Sequence, residues 1–212
     1  MARHGWVTRA GTLERVRFRE ATAADAPALA ELAARTFPLA CPPQLPAADV
    51  TAFVAEHLSR ERMAGYTADG GHLLVVAERE DAPALLGYGL VILPTGADQD
   101  PDDADVAAAV RPRPVAELSK CYVEADYQGS GLAVALTERV LADAAAVQVD
   151  GTGLAGVWLG TNRDNRRARA FYRKLGFAVT GQRRFRVGER WERDVVMVRD
   201  LTPEPDPEVS PR

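Results

Sequence analysis

Between an apolar run ending at Val123 and a long apolar-periodic segment, the chain reads Asp126-Tyr127-Gln128-Gly129-Ser130-Gly131-Leu132-Ala133. A plain turn needs one glycine. A cluster of small residues opening a helix lets a ligand come close to the backbone. A strand that turns at once into a helix leaves N–H groups of the first turn without partners, and the macrodipole adds partial positive charge there. Together they make an anion site suited to phosphate. No Gly-Lys-Ser/Thr follows, so this is not a Walker loop. After Gly129 and Gly131, position 134 is valine, so it is not the dinucleotide fingerprint either. On these residues alone two readings stand: a phosphate cradle of another kind, or a tight strand–helix turn with no ligand.

The elements that must position this stretch are legible from periodicity. Residues 16–20 alternate as a short strand. A helix follows in which Leu29, Leu32, Ala33 and Thr36 share a face. Pro27 belongs in its first turn, which favours Ala24 or Asp25 over Thr22 as N-cap. A second helix is predicted over residues 47–63, with Val50, Phe53, Val54, His57 and Leu58 as its apolar stripe. Residues 72–78 and 84–93 are strands. An acidic loop follows, with Asp98, Asp100, Asp102, Asp103 and Asp105 and one helical turn at 105–110. Residues 115–123 form a strand, and the helix after the glycine stretch turns Leu132, Leu136, Val140, Leu141 and Ala144 inward. Residues 154–160 are a buried-type strand. Asn165 caps a helix with Ala168, Phe171, Tyr172 and Leu175 on its inner face and Gly176 at C′. A hairpin over 177–187 and 191–198 turns at Val187-Gly188-Glu189. The order implies a mixed α/β fold with helices on both faces of one sheet. The expected layout is a loose arm at 1–13, one domain over 14–201 and a proline-rich disordered tail at 202–212.

The totals bound the class. A chain of 212 residues, 47% hydrophobic and 26% charged, is long enough for a substantial core. A net charge of −4 gives no general argument for nucleic acid or membrane as partner. Two cysteines, Cys41 and Cys121, make no disulfide framework. The first twenty residues lack the apolar centre of a signal peptide, and no apolar run approaches the ~20 residues that span a bilayer. The expectation is a soluble cytoplasmic protein. His4, His57 and His72 show no metal spacing.

The second half of the chain bears on the glycine stretch. Residues 165–177 read Asn-Arg-Arg-Ala-Arg-Ala-Phe-Tyr-Arg-Lys-Leu-Gly-Phe. Together with Gln128, Gly131 and Ala133, this resembles the GNAT superfamily of acetyl-CoA-dependent N-acetyltransferases. Their phosphate motif is Gln/Arg-x-x-Gly-x-Gly/Ala. Their later motif is matched by Asn165, Ala168, Phe171, Tyr172, Gly176 and Phe177. Each motif alone is weak; the ordered pair is specific, and the element order fits from Val16 to about Leu201. Residues 117–131 look most like the branch that acetylates polyamines and small amines.

The resemblance implies a mostly antiparallel, twisted sheet with a splayed strand pair that accommodates the pantetheine arm of the cofactor, acetyl-CoA, as an extra strand. The splayed strand would be 117–123. The backbone of Val123, with that of Cys121 and Tyr122, would hold pantetheine, and an N–H near Val123 would polarise the thioester carbonyl. Amides of Gln128, Gly129, Ser130, Gly131, Leu132 and Ala133 would hold the pyrophosphate, Asn165 would bond the cofactor across the cleft, and Arg169 would be among the cations nearest the 3′-phosphate. Tyr172 would be the general acid for the leaving thiolate, against a plain packed-tyrosine reading. Many relatives carry a glutamate base on the following strand; here that position is Gly160. Glu117 is the substitute base, against a salt-bridged strand carboxylate, with Tyr122, Ser119 and Asp126 behind it.

Two charge runs remain. Ten cations between Arg163 and Arg190 face Asp164 and Glu189; a solvated face ranks first, cofactor phosphate second and nucleic acid a distant third. The aspartate run could steer a cationic amine or simply be a solvated loop. Cys121 is a strand residue rather than a nucleophile, since no histidine base accompanies it. The expected activity is transfer of acetyl to a primary amine of a small molecule or peptide in a ternary complex, and the expected assembly is a homodimer. The rival is a catalytically silent acyl-CoA-binding module, which Gly160 keeps alive.

Overall fold

The computed structural model describes residues 13, 15–41, 44–82, 84–97, 99, 101, 103–111, 113–187 and 190–201. Residues 1–12 of the expected arm, the tail, the tip of the hairpin at Gly188 and Glu189, and Asp98, Asp100 and Asp102 lie outside the described residues, while Leu13 packs against the core. Seven strands form one sheet in the order β1-β2-β3-β4-β7-β9-β8. They are β1 (Val16–Glu20), β2 (His72–Arg79), β3 (Leu85–Ile92), β4 (Val115–Val123), β7 (Gly156–Asn162), β8 (Ala178–Val187) and β9 (Arg190–Asp200). Every neighbouring pair is antiparallel except β4 with β7.

Alternation along the strands feeds two cores. Leu74, Val76, Tyr88 and Leu90 face α1 (Ala26–Thr36) and α3 (Arg60–Ala68), burying Leu29, Leu32, Ala33 and Met63. Val75, Ala77, Leu86 and Val91 face α5 (Leu132–Ala145), which turns in Leu132, Leu136, Val140, Leu141 and Ala144 as its periodicity requires. A smaller cluster joins Val106 and Val110, at α4 (Ala104–Ala109), to Trp158, Val196 and Val198. Helices therefore cover both faces. Among the described residues no helix is long and apolar enough to cross a membrane.

Three local differences from the sequence reading have physical causes. The helix expected over 47–63 is two: α2 (Ala47–His57) and α3. Ser59 is extended, and its Oγ accepts from the Arg62 N–H at 3.3 Å, capping α3. The break brings Leu58 and Met63 together in the same buried cluster. The strand expected over 154–160 is shifted to 156–162, because polar Thr161 and Asn162 continue the ladder with Val195 and Asp194 of β9. An unforeseen two-stranded ribbon, β5 (Gln148–Val149) with β6 (Thr152–Gly153), turns through Asp150 and Gly151, both at positive φ, the geometry that Asp-Gly favours. At the first helix, Asp25 is the N-cap of α1, and its carboxylate also accepts from the N–H and hydroxyl of Thr22.

Candidate active site

The parallel pairing of β4 with β7 covers three residues: Val115, Ala116 and Glu117 beside Gly156, Val157 and Trp158. Beyond them each strand keeps its outer partner, β3 or β9, but loses the other. Between Leu118 and Lys120 the pairing with β3 slips by one residue, leaving Ser119 as a bulge that adds local bend. The two strands open into a V, and a cleft of about 730 Å³ fills it. Backbone groups facing an opened pair are unsatisfied hydrogen-bonding edges.

At the end of β4 a 3-10 turn (Ala125–Tyr127) leads into the glycine stretch. Gly129 has φ 82° and Gly131 φ 95°. Gly131 is the N-cap of α5, in a left-handed conformation that costs other residues ~1–2 kcal/mol. The stretch divides between internal and open amides. The N–H of Gln128 donates to the Ala125 carbonyl, that of Ser130 to the Tyr127 carbonyl, and that of Leu132 to Ser130 Oγ. Among the described residues, the amides of Gly129, Gly131 and Ala133 meet no acceptor. The Ser130 hydroxyl also donates to the Tyr127 carbonyl at 2.7 Å, so this side chain is turn structure. Leu132 is wholly core, whereas Gln128 and Ala133 line the cleft.

The facing wall is α6 (Arg166–Lys174). Asn165 caps it, its Oδ1 accepting from the Ala168 N–H at 3.0 Å. Asn165, Ala168, Phe171 and Tyr172 line the cleft. The Tyr172 ring stands edge-on to Phe171 and Phe177, with centroids 5.1 and 5.6 Å away. Burial pushes its phenol well above the ordinary value. Arg169 is not among the lining residues; its guanidinium donates to the Arg163 carbonyl. Arg167 takes that place, lining the cleft and donating to Gln128 Oε1 at 2.9 Å across its mouth. The sequence carried a signal for it, since Arg167 lies four residues before Phe171 on the same helical stripe.

Deeper in the V, Glu117, Ser119, Lys120, Cys121, Tyr122 and Val123 all line the cleft; Asp126 does not. Burial raises the Glu117 carboxyl above the usual range, while the nearby Arg183 and Lys120 cations pull it back. Burial lowers the Lys120 ammonium, opposed by Glu117. Lys120 Nζ lies 3.2 Å from Ser119 Oγ and 5.0 Å from the centre of the Tyr66 ring. Burial pushes the Cys121 thiol up to about 11, and its sulfur sits 3.2 Å from Thr137 Oγ1. That is a packed thiol, not an activated one. Tyr122 is raised by burial too and packs beside Tyr88 and Phe37.

Gly160 lines the cleft opposite, and a side chain not foreseen from sequence fills the space beside it. A Cβ on Gly160 would overlap the Arg183 guanidinium. That guanidinium lies 5.2 Å from the centre of the Trp158 ring and 3.5 Å from an Asp194 carboxylate oxygen. Where the resemblance led one to expect a carboxylate base, the chain presents a cation. Of the aspartate loop, Asp103 caps α4, its carboxylate accepting from the N–H groups of Asp105 and Val106.

Known proteins share this construction. A profile of the acetyltransferase (GNAT) family matches residues 27–177. Uncharacterized N-acetyltransferases of Mycobacterium bovis and Mycobacterium tuberculosis are 41% identical over 177 residues, 84% of this chain and 98% of theirs. In fold, the chain is similar to the PaiA N-acetyltransferase of Thermoplasma acidophilum solved with coenzyme A. The TM-score is 0.62 at 17% identity, over 87% of this chain and 98% of that one. Arabidopsis thaliana NAA60 with a bisubstrate analogue gives 0.64 at 15% identity, over 87% and 97%. The short parallel pairing, the glycine-opened helix and the matched span lead to one assignment: this chain belongs to the GNAT family of acetyltransferases.

Proposed function

We propose that the chain moves an acetyl group from acetyl-CoA to a primary amine by direct attack in a ternary complex. The observation that carries this reading is the three-residue limit of the β4–β7 pairing, which opens a cleft leading to three unpartnered amides. The residues fit the donor. Edges of β4 beyond Glu117 can pair with an extended amide-bearing arm as an added strand. The amides of Gly129, Gly131 and Ala133, with the α5 dipole behind them, suit a diphosphate, and Arg167 adds a cation at the same mouth. Asn165 Oδ1 is engaged in its cap, so a contact from this residue falls to its Nδ2.

Acetyl-CoA supplies an activated acyl carbon and a thiol leaving group. Glu117 takes the proton an attacking ammonium must lose, directly or through a water. Its raised carboxyl makes it a better base than an exposed glutamate, and the Arg183 and Lys120 cations oppose that rise. The backbone N–H near Val123 stabilises negative charge on the carbonyl oxygen. Tyr172, protonated at neutral pH, donates to the leaving sulfur. Its loss should cost about 10²-fold, the low end for a proton donor.

Calorimetry with acetyl-CoA, together with thiol release over an amine panel, tests the reading. Acetyl-CoA should bind, some amine should turn over, and Tyr172→Phe should lower kcat about 10²-fold with acetyl-CoA affinity held. Gly160, lacking a carboxylate, favours a second reading, a silent acyl-CoA-binding module. Tight acetyl-CoA binding with no turnover on any amine would establish that one instead.

A further inference from the structure

The cleft has two chemically different ends. Beyond Tyr122 the wall comes from the segment after α1 and from α2, and it is aromatic. Phe37 and Phe53 stack at 4.6 Å with planes 5° apart; Phe37 meets Tyr122 edge-on at 6.2 Å. His57 tilts against Phe53 at 4.5 Å, and Leu39, 54% exposed, stands at the rim. Among the described residues, the charged groups lining the cleft are Glu117 and Asp194 against Lys120, Arg167 and Arg183. Each carboxylate is answered: Asp194 by Arg183 at 3.5 Å, Glu117 by the fields of Arg183 and Lys120.

Resting on the acetyltransferase reading, we propose that the acceptor is a monoamine carrying an aromatic or bulky apolar group, and not a polyamine. A polyamine that gives up one proton for attack keeps further ammonium groups, and each would need a carboxylate. With Arg167 at the donor mouth, the described charges left at the acceptor end are Glu117 and Asp194 against Lys120 and Arg183, so both carboxylates already face a cation and a second ammonium would have to compete with Lys120 and Arg183 for them. An aromatic body buries area against Phe37, Phe53 and Tyr122 that a polar chain would leave wet. Filling such a surface with a phenyl group is worth on the order of tenfold or more in kcat/KM. This departs from the polyamine branch that residues 117–131 resemble. The difference lies in residues far from that stretch.

The test compares 2-phenylethylamine, n-propylamine and spermidine as acceptors at saturating acetyl-CoA, on the unaltered protein. The expected order in kcat/KM is 2-phenylethylamine above n-propylamine by about tenfold or more, with spermidine lowest. In Phe53→Ala the ratio of the first two should shrink by about tenfold. Spermidine in first place would overturn the acceptor class while leaving acetyl transfer intact. Calorimetry of 2-phenylethylamine on the coenzyme A-loaded protein separates the two failures. Binding without turnover of any amine supports the acceptor class and counts against acetyl transfer. Neither heat nor turnover overturns the acceptor class even if acetyl-CoA binds.

Discussion

Gly160→Ala tests the packing that shapes the inner wall of the cleft. The added methyl would overlap the Arg183 guanidinium, which must move. It would leave a cation–π contact with Trp158 worth roughly 0.5–2 kcal/mol when partly desolvated. It would also leave a long charge-assisted bond to Asp194, at the low end of about 1.5–3 kcal/mol. The side chains of this pair are 15% and 9% exposed, so water replaces little of what is lost. Because the guanidinium ends a flexible side chain, some contact is regained elsewhere, and a cost of about 1–3 kcal/mol results. Alanine in place of glycine inside a strand returns ~0.5–1 kcal/mol. The net expectation is a loss of about 0.5–2 kcal/mol. With Arg183→Ala already in place the space is free, and Gly160→Ala should instead stabilise by ~0.5–1 kcal/mol. Urea denaturation of the four proteins, at unchanged m-values, measures the coupling. A Gly160→Ala effect of the same size in both backgrounds refutes the account of why this position is glycine.

Other substitutions probe the remaining parts. Gly131→Val forces a β-branched residue to φ 95° at the mouth of α5, and should weaken acetyl-CoA binding by about tenfold or more (~1.4 kcal/mol), read by calorimetry. Glu117 holds its proton to higher pH when folded than unfolded. Its contribution to stability therefore declines as pH rises from the unfolded to the folded pKa, and Glu117→Gln should flatten that slope and remove the acidic limb of the kcat/KM profile. Asp25 runs the other way: the Arg19 guanidinium lowers its carboxyl from 3.8 to about 2. The stabilisation is full above pH 3.8 and fades as pH falls through about 2, so Asp25→Asn should cost roughly 1–2 kcal/mol at neutral pH and nothing once the pH is well below both values.

What the sequence discloses is what local physics decides. The strand over 115–123 is an apolar-rich run that stops before a turn, so β4 is legible to the residue. The α5 stripe and the Asn165 cap are equally local. The break at Ser59 is harder to read, because a serine inside an apolar-periodic run is neutral until Leu58 and Met63 both have a core to enter. Within the glycine stretch, composition marks the place but not the division of labour. Which amides stay open depends on the turn bonds of Gln128 and Ser130 and on the Ser130 hydroxyl. Arg183 is illegible, since nothing near it in the chain says that it will cross to Gly160. A glycine in a buried strand does say that something approaches closely there.

The same contrast explains why the donor half of the reaction is easier to assign than the acceptor half. The groups suited to acetyl-CoA come from two short segments, 128–133 and 165–172, each held by its own helix start. Their chemistry survives as a linear pattern, and the family profile ends with them at residue 177. The acceptor wall is composite. Phe37 and Phe53 come from the first helical layer, Glu117 and Lys120 from the bulged strand, and Arg183 and Asp194 from the closing hairpin, beyond the matched span. A site assembled from three distant parts can change its charge by one substitution in any of them while the fold and the donor cradle stay as they are. Here the hairpin replaces a carboxylate position with a cation. On the proposed acetyl transfer, the aromatic wall would select the acceptor's body and Arg183 its charge, and exchanging Arg183 for a neutral residue should move preference toward more cationic amines without touching the groups suited to the donor.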